Sequence, residues 1–539
     1  MRAGSEGARP RLAMLVLALV ACGTVVAPAE AQVAVGDSLW RLGRTDEAAI
    51  AYRKALEEDR NAVRANFRLS QTLAWSSNID SALVLLRAAR VRVPDDPDLL
   101  FTEATYLAWG RRWPEALLRY DSLITAHPTN DYNYVRVARA RTLSWSGRLT
   151  DAQREYREVL AREPGERDAR FGLGQVSAWS GDLDAAATQY AALLVDDPDE
   201  GRVLLALAQV RLWQSKYASA AKLAARAAVR DSANGDLREL QRALAAASAL
   251  RVDVGQSWSE DSDRNVNFWQ TVGARTVVGD GLRLGASLGF LSATDPTRTS
   301  RRSMAEFSLG MPFGKGTVAA AVGARALDPA PLTSTGPAAP SRAVLTGRLS
   351  LQQRVGAGVT LGASVARWPF DEIAVLMPLA LDVDQWEGTA EWRATPKLGW
   401  NAMVGGLDFS DGNRRRAWSG RAAYRLAKGL TVGALASGFA YERRELRYFS
   451  PPRFTAGEAT AGWARETATW SAALSGGLGL QQIDTLASQD QWHLDGRLAR
   501  QWGRTWALEL VGGRSTSAAA SAVGAYAYTT LGLTLRRAF

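Results

Sequence analysis

Two hydrophobic periods divide the 539 residues. Up to Ala249 apolar positions recur at helical spacing, and beyond it short segments alternate apolar and polar residues, the period of strands. In Val344 to Val355, Leu345, Gly347, Leu349, Leu351 and Val355 share one face, interrupted by Gln353, while Thr346, Arg348, Ser350, Gln352 and Arg354 share the other. Trp492 to Trp502 repeats the pattern: Trp492, Leu494, Gly496, Leu498 and Trp502 lie opposite His493, Asp495, Arg497 and Gln501, with Arg500 breaking the apolar face. Two tryptophans ten residues apart on a strand tilted by ~40° stand about 25 Å apart along a membrane normal, the height of a lipid-facing band between aromatic girdles.

About sixteen such segments run from Arg251–Ser259 to Gly524–Phe539. Gly279-Asp280, Gly356-Ala357, Pro396-Lys397, Lys428-Gly429 and Gly503-Arg504 predict tight turns, whereas residues 292–302, 327–342, 369–384 and 444–455 predict long loops. Short turns on one side and long loops on the other distinguish an outer-membrane barrel from a soluble β-sandwich. Leu531, Leu533, Leu535 and the terminal Phe539 share a face, resembling the end signal of inserted barrels, with Arg537 as a departure.

In the first half, Trp75, Trp109, Trp145, Trp179 and Trp213 recur every 34 to 36 residues, the period of a tetratricopeptide repeat. Ala48, Ala82, Ala116, Ala152, Ala186 and Ala220 fall in register, and Pro94, Pro128, Pro164 and Pro198 close successive units, giving about six. Within one unit, Leu173-Gly174, Gly181, Ala186, Tyr190 and Pro198 supply close helix packing, a turn and a stop. We read the tryptophans, with Tyr190, as core between stacked units, in preference to a ladder for stacking ligands.

The remaining features refine this plan. Arg2, Arg9 and Arg11, an apolar run from Leu12 to Ala27, and Ala29-Glu30-Ala31 read as an export signal over residues 1–31. Leu19-Val20-Ala21-Cys22 also resembles a lipobox, so lipidation of Cys22 stands beside cleavage after Ala31. The repeat domain then covers 33–249 and the barrel 251–539, an α + β multidomain chain with its solenoid expected in the periplasm and its barrel in outer-membrane lipid. Before Arg251 there are 33 Lys+Arg against 31 Asp+Glu, and from Arg251 onward 32 against 24, so the basic excess belongs to the strands. Those arginines are dispersed, which argues against nucleic acid.

With one cysteine and only His127 and His493, in different domains, we expect no disulfide, metal site, cofactor or Ser-His-Asp hydrolase. His127 is expected at the surface and His493 as a polar lumen liner. Alternation directs Arg348, Arg354, Arg421, Arg425, Arg497 and Arg536 inward, with Tyr526 and Tyr528 on the same side, a lining suited to polar or anionic sugars.

Exported repeats fused to a barrel resemble exopolysaccharide export proteins: the outer-membrane export component of cellulose synthase, the poly-N-acetylglucosamine export porin and, closest in size, the YaiO-type proteins. Trp145-Ser146-Gly147, Trp179-Ser180-Gly181 and the loop Tyr448-Phe449-Ser450-Pro451-Pro452-Arg453-Phe454 carry the resemblance. It implies a non-enzymatic conduit or accessory for polysaccharide whose repeats bind periplasmic proteins. The departure is six repeats where full-size export proteins of this kind carry many more. Two other readings stand beside it: a non-transporting scaffold or surface receptor, and a lipid A modifying barrel enzyme, for which His493 is the histidine candidate.

Overall fold

The computed structural model describes residues 28–126, 132–331, 340–356, 358–503, 505–518 and 527–539. Cys22, the apolar leader, His127, Pro128, Ala357, Arg504 and Tyr526 lie outside them, while Ala31 falls within the first helix. The chain divides into two compact units between Val210 and Arg211.

Thirteen described helices precede the strands. They are α1 (Pro28–Arg41), α2 (Thr45–Glu58), α3 (Val63–Trp75), α4 (Ile79–Arg90), α5 (Pro97–Trp109), α6 (Trp113–Ala126), α7 (Asn133–Trp145), α8 (Leu149–Arg162), α9 (Arg167–Trp179), α10 (Leu183–Asp196), α11 (Gly201–Trp213), α12 (Tyr217–Arg230) and α13 (Gly235–Ser248). From α1 to α10 they pack as five successive helix pairs within the first unit. The alanines in register sit one per second helix, and all six are fully buried. A methyl there lets neighbouring helices approach until the side chain one turn later fills the gap. That side chain is Tyr52, Leu86, Tyr120, Tyr156, Tyr190 or Ala224, each buried. The tyrosines need small partners: a Cβ on Gly36 would run into Tyr52, and one on Gly172 into Tyr156.

The tryptophans do not share this core. Trp75, Trp109, Trp145, Trp179 and Trp213 retain 67%, 44%, 38%, 45% and 49% exposure, which overturns the core reading. Each is the last residue of its helix, beyond the stretch that the neighbouring helices cover. The tyrosines fill the space assigned to them.

The second unit, from Arg211, carries the end of α11, α12, α13 and sixteen strands. In order they are β1 (Arg251–Asp261), β2 (Val266–Val278), β3 (Leu282–Asp295), β4 (Arg298–Phe313), β5 (Gly316–Asp328), β6 (Arg342–Gly356), β7 (Val359–Pro369), β8 (Asp382–Arg393), β9 (Leu398–Phe409), β10 (Arg414–Ala427), β11 (Leu430–Tyr441), β12 (Phe454–Glu466), β13 (Trp470–Ile483), β14 (Gln489–Trp502), β15 (Trp506–Ser515) and β16 (Tyr528–Ala538). Every strand pairs antiparallel with its sequence neighbours, and β1 closes on β16 from Arg251↔Ala538 to Asp261↔Tyr528.

The tight turns at Gly279-Asp280, Pro396-Lys397 and Lys428-Gly429 join strands where expected, but one long loop does not form. β3 and β4 stay paired as far as Asp295↔Arg298, so residues 292–302 form a hairpin tip. The Thr294 and Thr299 hydroxyls meet across it at 3.1 Å, and Asp295 accepts from the N–H groups of Thr297 and Arg298. This local capping sustains the ladder where polarity alone suggests a loop.

The outward face is apolar, with Leu345, Leu478, Leu494 and Leu533 among its exposed residues. Trp258 pairs with Phe268 near one rim, and Trp392 with Trp400 and Trp502 with Trp506 near the other. Such a band between aromatic rims resembles the outer-membrane barrels. The two arginines that break the pattern lie over rings: Arg500 over Trp470 and Trp502 at 4.9 and 5.2 Å, Arg537 over Trp506 and Phe539 at 5.0 and 4.3 Å. At the interfacial girdle a guanidinium stacks on the aromatics and keeps its polar edge in water, so neither residue disturbs the apolar face. Among the described residues no helix is long and apolar enough to cross a membrane.

The last helices are tied to the barrel within this unit. Ser219 donates from its N–H to Asp280 Oδ1 at 2.9 Å and from its hydroxyl to Oδ2 at 2.7 Å, and Ala218 N–H donates to the Gly279 carbonyl at 3.1 Å. The β2–β3 turn thus supplies the N-cap that α12 lacks in its own Lys216. At the far end Arg251 and Thr276 donate to the Ala246 and Ser248 carbonyls of α13. Burial would push Asp280 up, but the Ser219 and Ala218 hydrogen bonds and the Lys216 charge outweigh it and hold the carboxyl below its ordinary value. A depressed acid stabilises the folded form above its unfolded pKa, so the clasp is expected intact at neutral pH and lost as pH falls below about 4. Asp280→Ala should speed hydrogen exchange at Ala218 and Ser219 by roughly 2- to 30-fold, the effect of losing about 0.5–2 kcal/mol of capping. Unchanged exchange would show that the turn does not restrain α12.

Candidate functional site: the barrel lumen

Strand alternation decides which side chains meet in the lumen. On β6, Leu345, Leu349 and Val355 are outward and strongly exposed, which turns Arg348 and Arg354 inward beside Thr346, Ser350 and Gln352. Trp418, Tyr424 and Leu426 similarly occupy the outward face of β10 and leave Arg421 and Arg425 inside. Arg497 on β14 is inward and bidentate to Glu509 of β15, with both contacts at 3.0 Å. Arg536 of β16 lies nearby, and with Arg497, Glu466 and Glu509 it borders a recess of about 170 Å³ toward the turn end. Tyr528 is inward and lines a cavity that Arg348 also borders. Arg348 thus shares a cavity with Tyr528 and Arg497 a separate recess with Arg536, while Arg354, Arg421 and Arg425 border neither. Arg348, Arg354, Arg421, Arg425 and Arg536 form no ion pair among the described residues.

The segment between β7 and β8 was visible in the sequence only as a long loop. Residues 370–381 fold into the barrel, where Asp371, Ile373, Ala374, Leu376 and Met377 are buried. Asp371 forms ion pairs with Arg302 of β4 and, at 2.8 Å, Arg325 of β5. Asn267 of β2 donates to the Glu372 carbonyl and Ser300 of β4 to that of Ala374, both at 3.1 Å. Arg302 also lies over the Trp269 ring at 4.2 Å. On the other side Phe370 packs edge-on to Phe409 of β9 at 5.2 Å, in a cluster with Leu407 and Tyr441. One segment thus grips two separate arcs of the wall, β2–β5 and β9–β11, and lies across the loop end of the lumen. Beside it a cavity of about 510 Å³ is bordered by Asn267, Glu306, Arg348, Asp371 and Tyr528.

The Tyr448–Phe454 loop buttresses this plug. Tyr448 is buried; its ring stacks on Phe409 at 5.3 Å and meets Phe370 at 5.7 Å, while its hydroxyl accepts from Asn413 at 2.9 Å and lies 3.2 Å from Asp411. Ser450 accepts from Glu445 N–H at 2.6 Å, and the Pro451 carbonyl from Tyr441 N–H at 3.1 Å. Phe449 packs on Phe439, Phe454 stacks on the same ring at 4.8 Å, and Arg453 N–H donates to Asp484. Pro452 stays exposed. The loop's aromatics are turned into the aggregate instead of toward open solvent.

Arg302, Arg325 and Asp371 escaped the sequence reading because their pairing joins residues 69 and 46 positions apart. The available signal was composition: Phe370, Ile373, Val375, Leu376, Met377, Leu379 and Leu381 make that segment too apolar for a solvated loop. His493, inward on β14, lies 2.8 Å from Glu458, which accepts from Gln491 at 2.7 Å. No group of three or more His, Cys, Asp or Glu residues able to hold a metal occurs among the described residues.

The tetratricopeptide repeat family model matches residues 39–100 and 146–210. No curated protein matches the chain. Among solved structures, a bacterial polysaccharide outer membrane secretin is 14% identical, covering 54% of this chain and 99% of its own, with a TM-score of 0.43. A tetratricopeptide repeat protein from Parabacteroides merdae is 14% identical over 43% of this chain and 89% of its own, TM-score 0.38. PilW, a type IV pilus biogenesis factor, is 16% identical over 40% and 98%, TM-score 0.36. The chain therefore carries tetratricopeptide repeats, matched over residues 39–100 and 146–210, followed by a closed sixteen-stranded antiparallel barrel.

Proposed function

We propose that the protein is an outer-membrane conduit or accessory for export of a polar or anionic exopolysaccharide, with its repeats in the periplasm engaging partner proteins. The observation that carries this reading is the lumen wall: five inward arginines without ion-pair partners among the described residues, spaced among serine, threonine and glutamine, offer fixed donors to carboxylates and hydroxyls and would be costly ornaments in a filled barrel. No catalytic step or energy source is needed; the barrel lowers the barrier, and the repeats bring the polymer's handlers to its mouth. The plug makes the resting lumen closed, so export requires the β7–β8 segment to yield.

That same plug is the specific observation favouring a second reading, a scaffold or surface receptor whose barrel only anchors the repeats. Single-channel recording in planar bilayers separates the two. Under the conduit reading, openings are anion-selective and blocked by an anionic polysaccharide. Arg348→Glu with Arg421→Glu and Arg425→Glu should move the reversal potential toward cations and weaken that block by about tenfold or more, since several charge-assisted contacts are lost. A barrel that stays silent with its plug removed would leave the scaffold.

A further inference from the structure

The exposed tryptophans are unused by the core and by the lumen. Trp109, Trp145 and Trp179 end equivalent helices of three successive repeats, α5, α7 and α9, so they recur along one edge of the array. Together with Ala108, Arg111, Trp113 and Ser144 they border a hollow of about 630 Å³ on the repeat surface. Four indoles, one hydroxyl and one guanidinium form this lining, and no carboxylate does. Arg111 stands at φ 60° in the turn after α5 and makes no ion pair among the described residues. By contrast its neighbour Arg112 is bound bidentate to Glu115, at 2.7 and 2.5 Å.

We infer that this hollow is a saccharide-binding site that receives a linear, polar or anionic glycan along the tryptophan edge. A pyranose ring presents C–H groups on its faces and hydroxyls around its rim. It is matched by flat indole faces with hydrogen-bond donors at their edges, here the indole N–H groups, Ser144 and Arg111. An apolar helix would want a continuous greasy groove, but these indoles are separated by polar turns such as Ser146-Gly147-Arg148 and Ser180-Gly181-Asp182. The positive, acid-free lining suits a glycan bearing carboxylates or other anionic groups. Recurrence once per repeat suits a ligand that itself repeats. The inference rests on the proposed polysaccharide export and adds a loading surface before the barrel.

The test is calorimetric titration of the full chain in detergent micelles with two defined probes, an oligouronate and a neutral β-glucan oligomer, alongside channel block by the same oligomers. The oligouronate is expected to bind more tightly than the neutral probe. Trp109→Ala with Trp145→Ala should weaken it at least tenfold and Arg111→Ala several-fold, mainly for the oligouronate, while Trp145→Phe retains most of the affinity. Far-UV dichroism and heat-modifiability should stay unchanged, because these side chains are exposed. Wild-type affinity in the double variant overturns the site, and if block of the channel persists, export survives without it. Absence of both binding and block overturns the site and the export reading together. Binding to anionic lipid vesicles that is lost in the double variant, without glycan binding, would reassign the edge to a membrane contact.

Discussion

Removing the Asp371 carboxylate is expected to turn a closed barrel into a conducting one. Asp371 is 1% exposed, and its carboxylate is the ion-pair partner of Arg302, itself buried in the wall. Breaking a buried pair by deleting one member leaves an uncompensated charge, at a cost of about 3–5 kcal/mol. Arg302 keeps a 3.4 Å contact to the Asp371 carbonyl, the face of Trp269 and the electrostatic pull of Glu372, which is no ion-pair partner, and none of these replaces the direct carboxylate contact. The sixteen-strand ladder does not depend on the segment, so the cheapest relief is for residues 370–381 to move and admit water to Arg302. Asp371→Ala should therefore stay folded and heat-modifiable while its open probability rises by an order of magnitude or more. Asp371→Asn, which keeps an acceptor but no charge, should fall between. Because the Phe370–Phe409–Tyr448 aggregate also holds the segment, the decisive companion is replacement of residues 371–380 by a short Gly-Ser linker. If that variant also conducts nothing, the segment is no gate and the conduit reading fails with it.

The sequence disclosed what depends on short-range pattern. The alanine register, the strand alternation and turn residues such as Gly279 and Gly429 are local, and the strand number, barrel closure and inward arginines follow from them. What stayed hidden depends on the third dimension. A 34-residue period shows that Trp109, Trp145 and Trp179 are equivalent, but it does not show whether the next helix reaches far enough to cover them; as terminal residues of their helices they remain outside the packed interface. Arg500 and Arg537 looked like faults in an apolar face because stacking on a neighbouring strand's tryptophan has no sequence signature. Residues 369–384 were visible as a loop, yet their entry into the lumen rests on Asp371 finding Arg302 and Arg325 across distant strands.

The repeat core offers the sharpest contrast between buried and exposed aromatics, since Tyr156 and Trp145 belong to the same repeat, on α8 and α7. Tyr156 is 1% exposed, lies among Val137, Ala152, Val159 and Val176, and its ring meets α9 at Gly172, where no larger residue fits. Tyr156→Ala opens a cavity that rigid helices on both sides cannot close, and large aromatic truncations of this kind cost about 3–5 kcal/mol. Each repeat is held by its neighbours alone, so the loss should appear as a lower melting temperature of the helical transition, by roughly 10 °C, with the barrel's heat-modifiability unaffected. Trp145→Ala removes a larger side chain but one that is already 38% exposed at a helix end, and its helical transition should move by only a few degrees. Far-UV dichroism melts of the two variants in the same micelles make the comparison. Were Trp145→Ala the more damaging, the tryptophan edge would be part of the repeat core after all, and its availability to any ligand would fall with it.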